Sequence, residues 1–166
     1  RGEWSKPVYI NHQGIDPSLL FDDGKVYFCA TQLVDGESSI ALYEINPMTG
    51  ELSNGPTIIS KGIGGKFPEA PHLYRIGEYY YLMLAEGGTE YGHMETIFRA
   101  KDPYGPYEGC PHNPILSHKD YQGSPIQATG HADIVEDQHG NWWMVFLAIR
   151  PFKHAMLHNL GRETFL

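Results

Sequence analysis

Three titratable residues, Asp16, Glu69 and His131, stand at the heads of three similar stretches: "DPSLLFDDGKVYFCAT", "EAPHLYRIGEYYYLMLA" and "HADIVEDQHGNWWMVFLA". Two carboxylates and an imidazole brought to one mouth would make an acid/base constellation. A carboxylate close to Glu69 would disfavour its ionisation and keep a proton on it near neutral pH. Taken singly, each residue reads equally well as a turn or cap, as Asp before Pro often is. Their shared place at the start of a repeat favours the chemical reading.

The elements that must position them are strands. In each stretch a polar residue leads a short apolar run, a Gly-containing turn (Gly24, Gly77, Gly140) and an aromatic-rich run ending in or near Ala. That is the pattern of a hairpin. The heads are 53 and 62 residues apart, a spacing that fits four-stranded propeller blades. Between them, "SSIALYEINPMTGELSNGPTII" and "METIFRAKDPYGPYE" alternate apolar and polar residues around turns at 47–50 and 102–105, supplying the remaining strands. No long apolar run has a helical period. The expectation is an all-β chain, one partial domain over 1–166, of about three blades, each a four-stranded antiparallel sheet. If the first strand of each blade is innermost, Asp16, Glu69 and His131 face one channel mouth. Three blades do not close a ring, and an open set leaves edges and a face unpaired.

Bulk properties narrow the partners. The chain of 166 residues is the size of one domain, is 41% hydrophobic and 19% charged, and carries a net charge of −8. That balance argues against nucleic acid or an anionic membrane as partner. No apolar run approaches a membrane span of about 18 residues, and no charged-then-apolar start resembles a signal peptide. The compartment, cytoplasmic or secreted, is left open. Cys29 and Cys110 are too few for a disulfide scaffold; Cys29, in "VYFCA", reads as a buried free thiol. Cys110 with His112, or His154 with His158, offers two ligands and no third for zinc. Tyr79–Tyr81 and Trp142-Trp143 read mostly as packing, and Glu86 in "AEGGTEYGH" as part of a solvated loop. Asp22-Asp23-Gly24 and Asp137–Gly140 read as turns.

"GIDPSLLFDDGKVYF", "PEAPHLYRIGEYYYLMLAEGGTEYGH", "GPYEGCPHNPIL", "TGHADIVEDQHGNWWMVFLAIRP" and "LGRETFL" together resemble family 43 of the glycoside hydrolases, five-bladed β-propellers that include β-xylosidases and α-L-arabinofuranosidases. The resemblance implies removal of terminal xylose or arabinofuranose from xylan-derived oligosaccharides, with inversion. It implies Glu69 as general acid and Asp16 as the residue that tunes and orients it. It places His131 near the channel floor, beside a bound cation or water cluster in some relatives, and Arg162 as a clamp for a substrate hydroxyl. His72 reads equally as a pocket residue or as the partner of a backbone carbonyl. No cofactor is required; a structural calcium is the one ion the resemblance allows. The family's general base lies in a first blade, ahead of Asp16, and "RGEWSKPVYINHQG" holds Glu3 but no matching motif. The expectation is an internal piece of such an enzyme, lacking the first and last blades, inactive alone, and completed by the remaining blades or by a second copy of the chain. A non-catalytic carbohydrate-binding propeller is the alternative.

Overall fold

The computed structural model describes residues 2–152 and 160–166, so the His154–His158 pair lies outside the described residues. Among the described residues every extended element is a β-strand. The first sheet runs in order β1 (Ile15–Asp22), β2 (Lys25–Val34), β3 (Glu37–Ile45) and β4 (Leu52–Ser60). The second contains β5 (Glu69–Ile76), β6 (Tyr79–Glu86), β7 (Met94–Ala100), β8 (Glu108–Gly109) and β9 (Leu116–Ser117). The third contains β10 (Gln127–Glu136), β11 (Trp142–Ile149) and β12 (Glu163–Phe165). Every pairing is antiparallel between neighbours in the sheet.

Turn chemistry sets this order. Asp23-Gly24 and Asp35-Gly36 both sit at positive φ between paired strands, the left-handed pair that a type I′ hairpin turn requires. The expected sheets of four strands each hold only for the first. The outer edge of the second splits into two short strands, β8 and β9, which pair with different ends of β7. Pro106, Pro111 and Pro114 interrupt the segment and cannot donate to a ladder, so no single outer strand forms. The third sheet has three strands among the described residues.

The first two sheets share a core. Tyr27, Cys29, Ile40 and Leu42 of the first pack against Leu73, Tyr80, Leu82, Leu84 and Phe98 of the second. Cys29 is a buried free thiol, as its strand implied, and burial pushes its pKa up. The opposite face of the first sheet is partly covered by the incoming chain, where Ile10 packs near Phe28 and Ile45 and His12 lies edge-on to Phe28 and Tyr43. Trp142 and Trp143 depart from the packing expected of them, standing 44% and 47% exposed.

Candidate active site

The leading strand of each sheet is bulged near its start. The register breaks between Ile15 and Ser18, between Glu69 and His72, and between Gly130 and Asp133. At each break one residue adopts a left-handed backbone: Asp16 (φ 51°), Ala70 (φ 48°) and His131 (φ 54°). For a residue with a Cβ that conformation costs about 1–2 kcal/mol, and such strain gathers at functional sites. The alignment read from the sequence is therefore one residue out in the second sheet: Ala70, not Glu69, is the counterpart of Asp16 and His131. The offset comes from the turns. Gly24 is the second turn residue between Asp22 and Lys25, whereas Gly77 is the first between Ile76 and Tyr79.

Despite the offset, the three side chains bear on one another. Glu69 is half-buried, and its proton affinity is raised by burial first and by the charge of Asp16 second, with His131 opposing. The two bulges are joined directly, because the Ser18 hydroxyl donates to the Pro71 carbonyl at 2.6 Å. A carboxyl group with raised proton affinity beside a second carboxylate is equipped to deliver a proton.

His131 reaches this point through the third sheet, held by groups that sequence reasoning missed. Glu95, the second residue of β7, is fully buried and accepts the Ala132 amide at 3.0 Å. Burial pushes its pKa up to about 8, against the pull of the Ala132 and His131 amides. His93 is also buried, with Nδ1 2.9 Å from the Ala128 carbonyl oxygen. A carbonyl only accepts, so Nδ1 carries the proton. A Cβ on Gly130 would lie 2.7 Å from Nε2 of His93, so only glycine allows the ring there. Burial lowers the His93 pKa, and the charges of Arg162 and His131 lower it further against the Ala128 carbonyl. Arg162, exposed and just ahead of β12, is thereby placed within electrostatic reach of the group.

His72 is mostly buried, stacks on Tyr74 and points Nδ1 at Asp133 over 3.6 Å. Burial lowers its pKa, with Asp133 opposing. The Tyr74 hydroxyl donates to Asp133 and accepts the Ile134 amide at 3.1 Å. His72 thus faces a carboxylate at the junction of the second and third sheets. An acid in a strand with the apolar Met94, Ile97 and Phe98 is the sequence signal for Glu95, because a carboxylate buried there needs donors.

Glu86 overturns its reading as part of a solvated loop. It is fully buried and accepts the Ile63 amide and the Gly65 amide at 3.1 Å, and the Thr96 hydroxyl at 2.7 Å. A Cβ on Gly62 would collide with the same carboxylate. Glu86 therefore gathers the loop between β4 and β5 that leads into Glu69. The reason is donor supply: Gly62, Gly64 and Gly65 let the amides of Ile63 and Gly65 turn toward one anion.

A cleft of about 510 Å³ opens beside Glu69, lined also by Gln13, Gly14, Ile15, Thr31 and Leu33. A narrow crevice brings Glu69 together with Phe67, His93 and His131. Among the described residues no cluster of three or more His, Cys, Asp or Glu is placed to hold a metal ion.

The model of the glycosyl hydrolases family 43 matches residues 1–166. The chain is 48% identical over 99% of its length to the non-reducing end alpha-L-arabinofuranosidase BoGH43B of Bacteroides ovatus, of which it covers 30%. It is 41% identical over 98% of its length to a beta-xylosidase of Bacillus subtilis, covering 33% of that protein. Among solved structures it superposes on 99% of its length, with TM-score 0.91 and 46% identity, on a GH43B protein from a Bacteroides ovatus xyloglucan locus. It superposes on 98%, with TM-score 0.90 and 38% identity, on a xylan beta-1,4-xylosidase from Bacillus halodurans. It covers 32% of each of those two chains, so it spans about a third of the length of the proteins it matches. With the family model matched from end to end, the chain belongs to family 43 of the glycosyl hydrolases.

Proposed function

We propose that this chain carries the proton-donating half of an inverting glycoside hydrolase that removes terminal xylose or arabinofuranose from xylan-derived oligosaccharides. The observation that carries the reading is Glu69, half-buried at the head of a cleft with its proton affinity raised by burial and by Asp16. Glu69 protonates the leaving oxygen, and Asp16 tunes and orients it. His131, with Arg162 beyond His93, contacts the sugar hydroxyls, and His72 supports that wall through Asp133. The printed activities of the relatives, arabinofuranosidase and xylosidase, support the substrate class.

Inversion also needs a base on the far side of the sugar, with the two carboxyls roughly 6.5–9.5 Å apart. With Asp16 assigned to tuning, that base comes from the rest of a five-bladed propeller of which the three sheets are blades. Leu19 and Phe21, on the face of the first sheet turned away from the second, are 48% and 66% exposed; a further blade covers them. The isolated chain is accordingly inactive, and turnover of an aryl xyloside or arabinofuranoside by the purified 166 residues would refute this part.

The acid role is tested by Glu69→Gln in a protein of the relatives' full length that carries this chain. On a substrate with a poor leaving group the expected loss is about 10²–10⁴-fold, and on an activated aryl glycoside much less. Equal losses on both would remove Glu69 from the role.

A further inference from the structure

A second hollow lies beyond the cleft at Glu69. It is a groove of about 390 Å³ between the tip of the β2–β3 hairpin and the loop 61–68, walled by Leu33, Glu37, Ser38, Lys61, Lys66 and Phe67. It shares Leu33 and Ser38 with the cleft that Glu69 lines, and Phe67 also borders the crevice holding Glu69 and His131. The three hollows therefore adjoin one another, meeting at Leu33, Phe67 and Glu69.

Two features of this groove stand apart from the rest of the surface. The first is charge. The chain has a net charge of −8, yet the groove sets two ammonium groups against one carboxylate. Lys61 is paired with Glu37 at 3.6 Å; Lys66 has no ion-pair partner among the described residues. The second is Phe67, held at φ 52° and 57% exposed. A bulky residue rarely takes that conformation, and here its neighbours impose it. The Lys66 carbonyl accepts the Gly87 amide at 2.7 Å and the Gly65 amide is anchored on Glu86. An exposed ring fixed in this way presents a flat apolar face, the kind of surface on which a sugar ring stacks, next to a proton donor.

We infer that this groove is a binding subsite for an acidic sugar, a uronate unit on the chain that leaves when the terminal residue is cleaved. Phe67 stacks on the sugar ring and Lys66, with Lys61 behind it, takes the carboxylate through a charge-assisted hydrogen bond. The direction follows from Glu69: a general acid protonates the leaving oxygen, so a groove running outward from it receives the leaving side. The inference rests on the assignment of Glu69 above.

The test is titration of the 166-residue chain, followed by amide chemical shifts, with two xylo-oligosaccharides of equal length, one bearing a uronic-acid branch. The acidic ligand binds about fivefold more tightly at low salt, and the advantage disappears by about 0.5 M salt. Lys66→Glu abolishes the difference. Phe67→Leu weakens both ligands roughly three- to tenfold, with circular dichroism confirming that each variant is folded. Equal affinity for the two ligands, no binding of either, or a Lys66→Glu variant that weakens both alike would overturn the subsite. Free glucuronate binding as tightly as the branched oligosaccharide would also overturn it, showing an anion site with no role for the chain. Affinity is read here instead of turnover, so an assay that removed the acid role of Glu69 would leave this result standing or falling by itself.

Discussion

The two inter-sheet junctions of this molecule are built differently. Between the first and second sheets the contact is mainly apolar: Ile40, Leu42, Leu82 and Leu84 are fully buried within one cluster, with the Ser18–Pro71 and Tyr80–Asp22 hydrogen bonds beside it. Between the second and third, directional polar ties dominate. Glu95 holds the Ala132 amide, His93 the Ala128 carbonyl, and Tyr74 both Asp133 and the Ile134 amide, while the third sheet offers the small residues Ala128, Ala132 and Ala148. Apolar packing is non-directional and scales with area, so the first junction supplies stability with little demand on the placement of any one atom. Hydrogen bonds fix distance and angle, so the second junction fixes the bulge that presents His131. The larger apolar core thus lies in the first seam, and the polar ties that fix His131 in the second.

The contrast is broken most severely from the apolar side. Leu84→Ala should cost roughly 2–5 kcal/mol, read as a shifted denaturant midpoint. The first and second sheets should unfold together, so hydrogen exchange in β2 and β6 should quicken in parallel. Loss of protection confined to β6 would mean that the two sheets are not one cooperative unit.

A smaller effect is expected at the polar seam. Glu95→Ala strands buried amides and should cost about 1–3 kcal/mol, with exchange rising first around His131 and not in β2. The same carboxyl gives the seam a pH dependence. Its pKa rises from 4.5 to about 8 on folding, so the protonated form favours the native state. That contribution is complete below pH 4.5 and is lost as pH climbs toward 8. Glu95→Gln, fixed in the neutral state, should flatten the stability profile across this window. An unchanged slope would remove Glu95 as its source.

The smallest change sharpens the comparison. Tyr74→Phe deletes the hydroxyl shared by Asp133 and the Ile134 amide and should cost about 1 kcal/mol. The His72 resonances, which report the same junction, should shift, whereas those of the Leu82–Leu84 core should stay in place. A core that moved as much as His72 would show that the two seams are mechanically continuous.

The amino-acid sequence determined the hairpins of this protein, because their causes are local. Asp23-Gly24 and Gly77 set tight turns, and the runs on either side carry the strand pattern. The sequence also singled out Asp16, Glu69 and His131. What it could not carry was their register. A glycine marks a turn without saying which of its two central places it holds, and so Glu69 was aligned one residue away from its place in the bulge. Nor could it show that Glu86 and Glu95 are buried. Whether a carboxylate goes inside depends on the amides that meet it, and those of Ile63, Gly65 and Ala132 come from other parts of the chain. The groove at Phe67 and Lys66 is likewise a product of two sheets meeting. Local propensity wrote the strands; only the packing of one sheet against the next decided which side chains share a site.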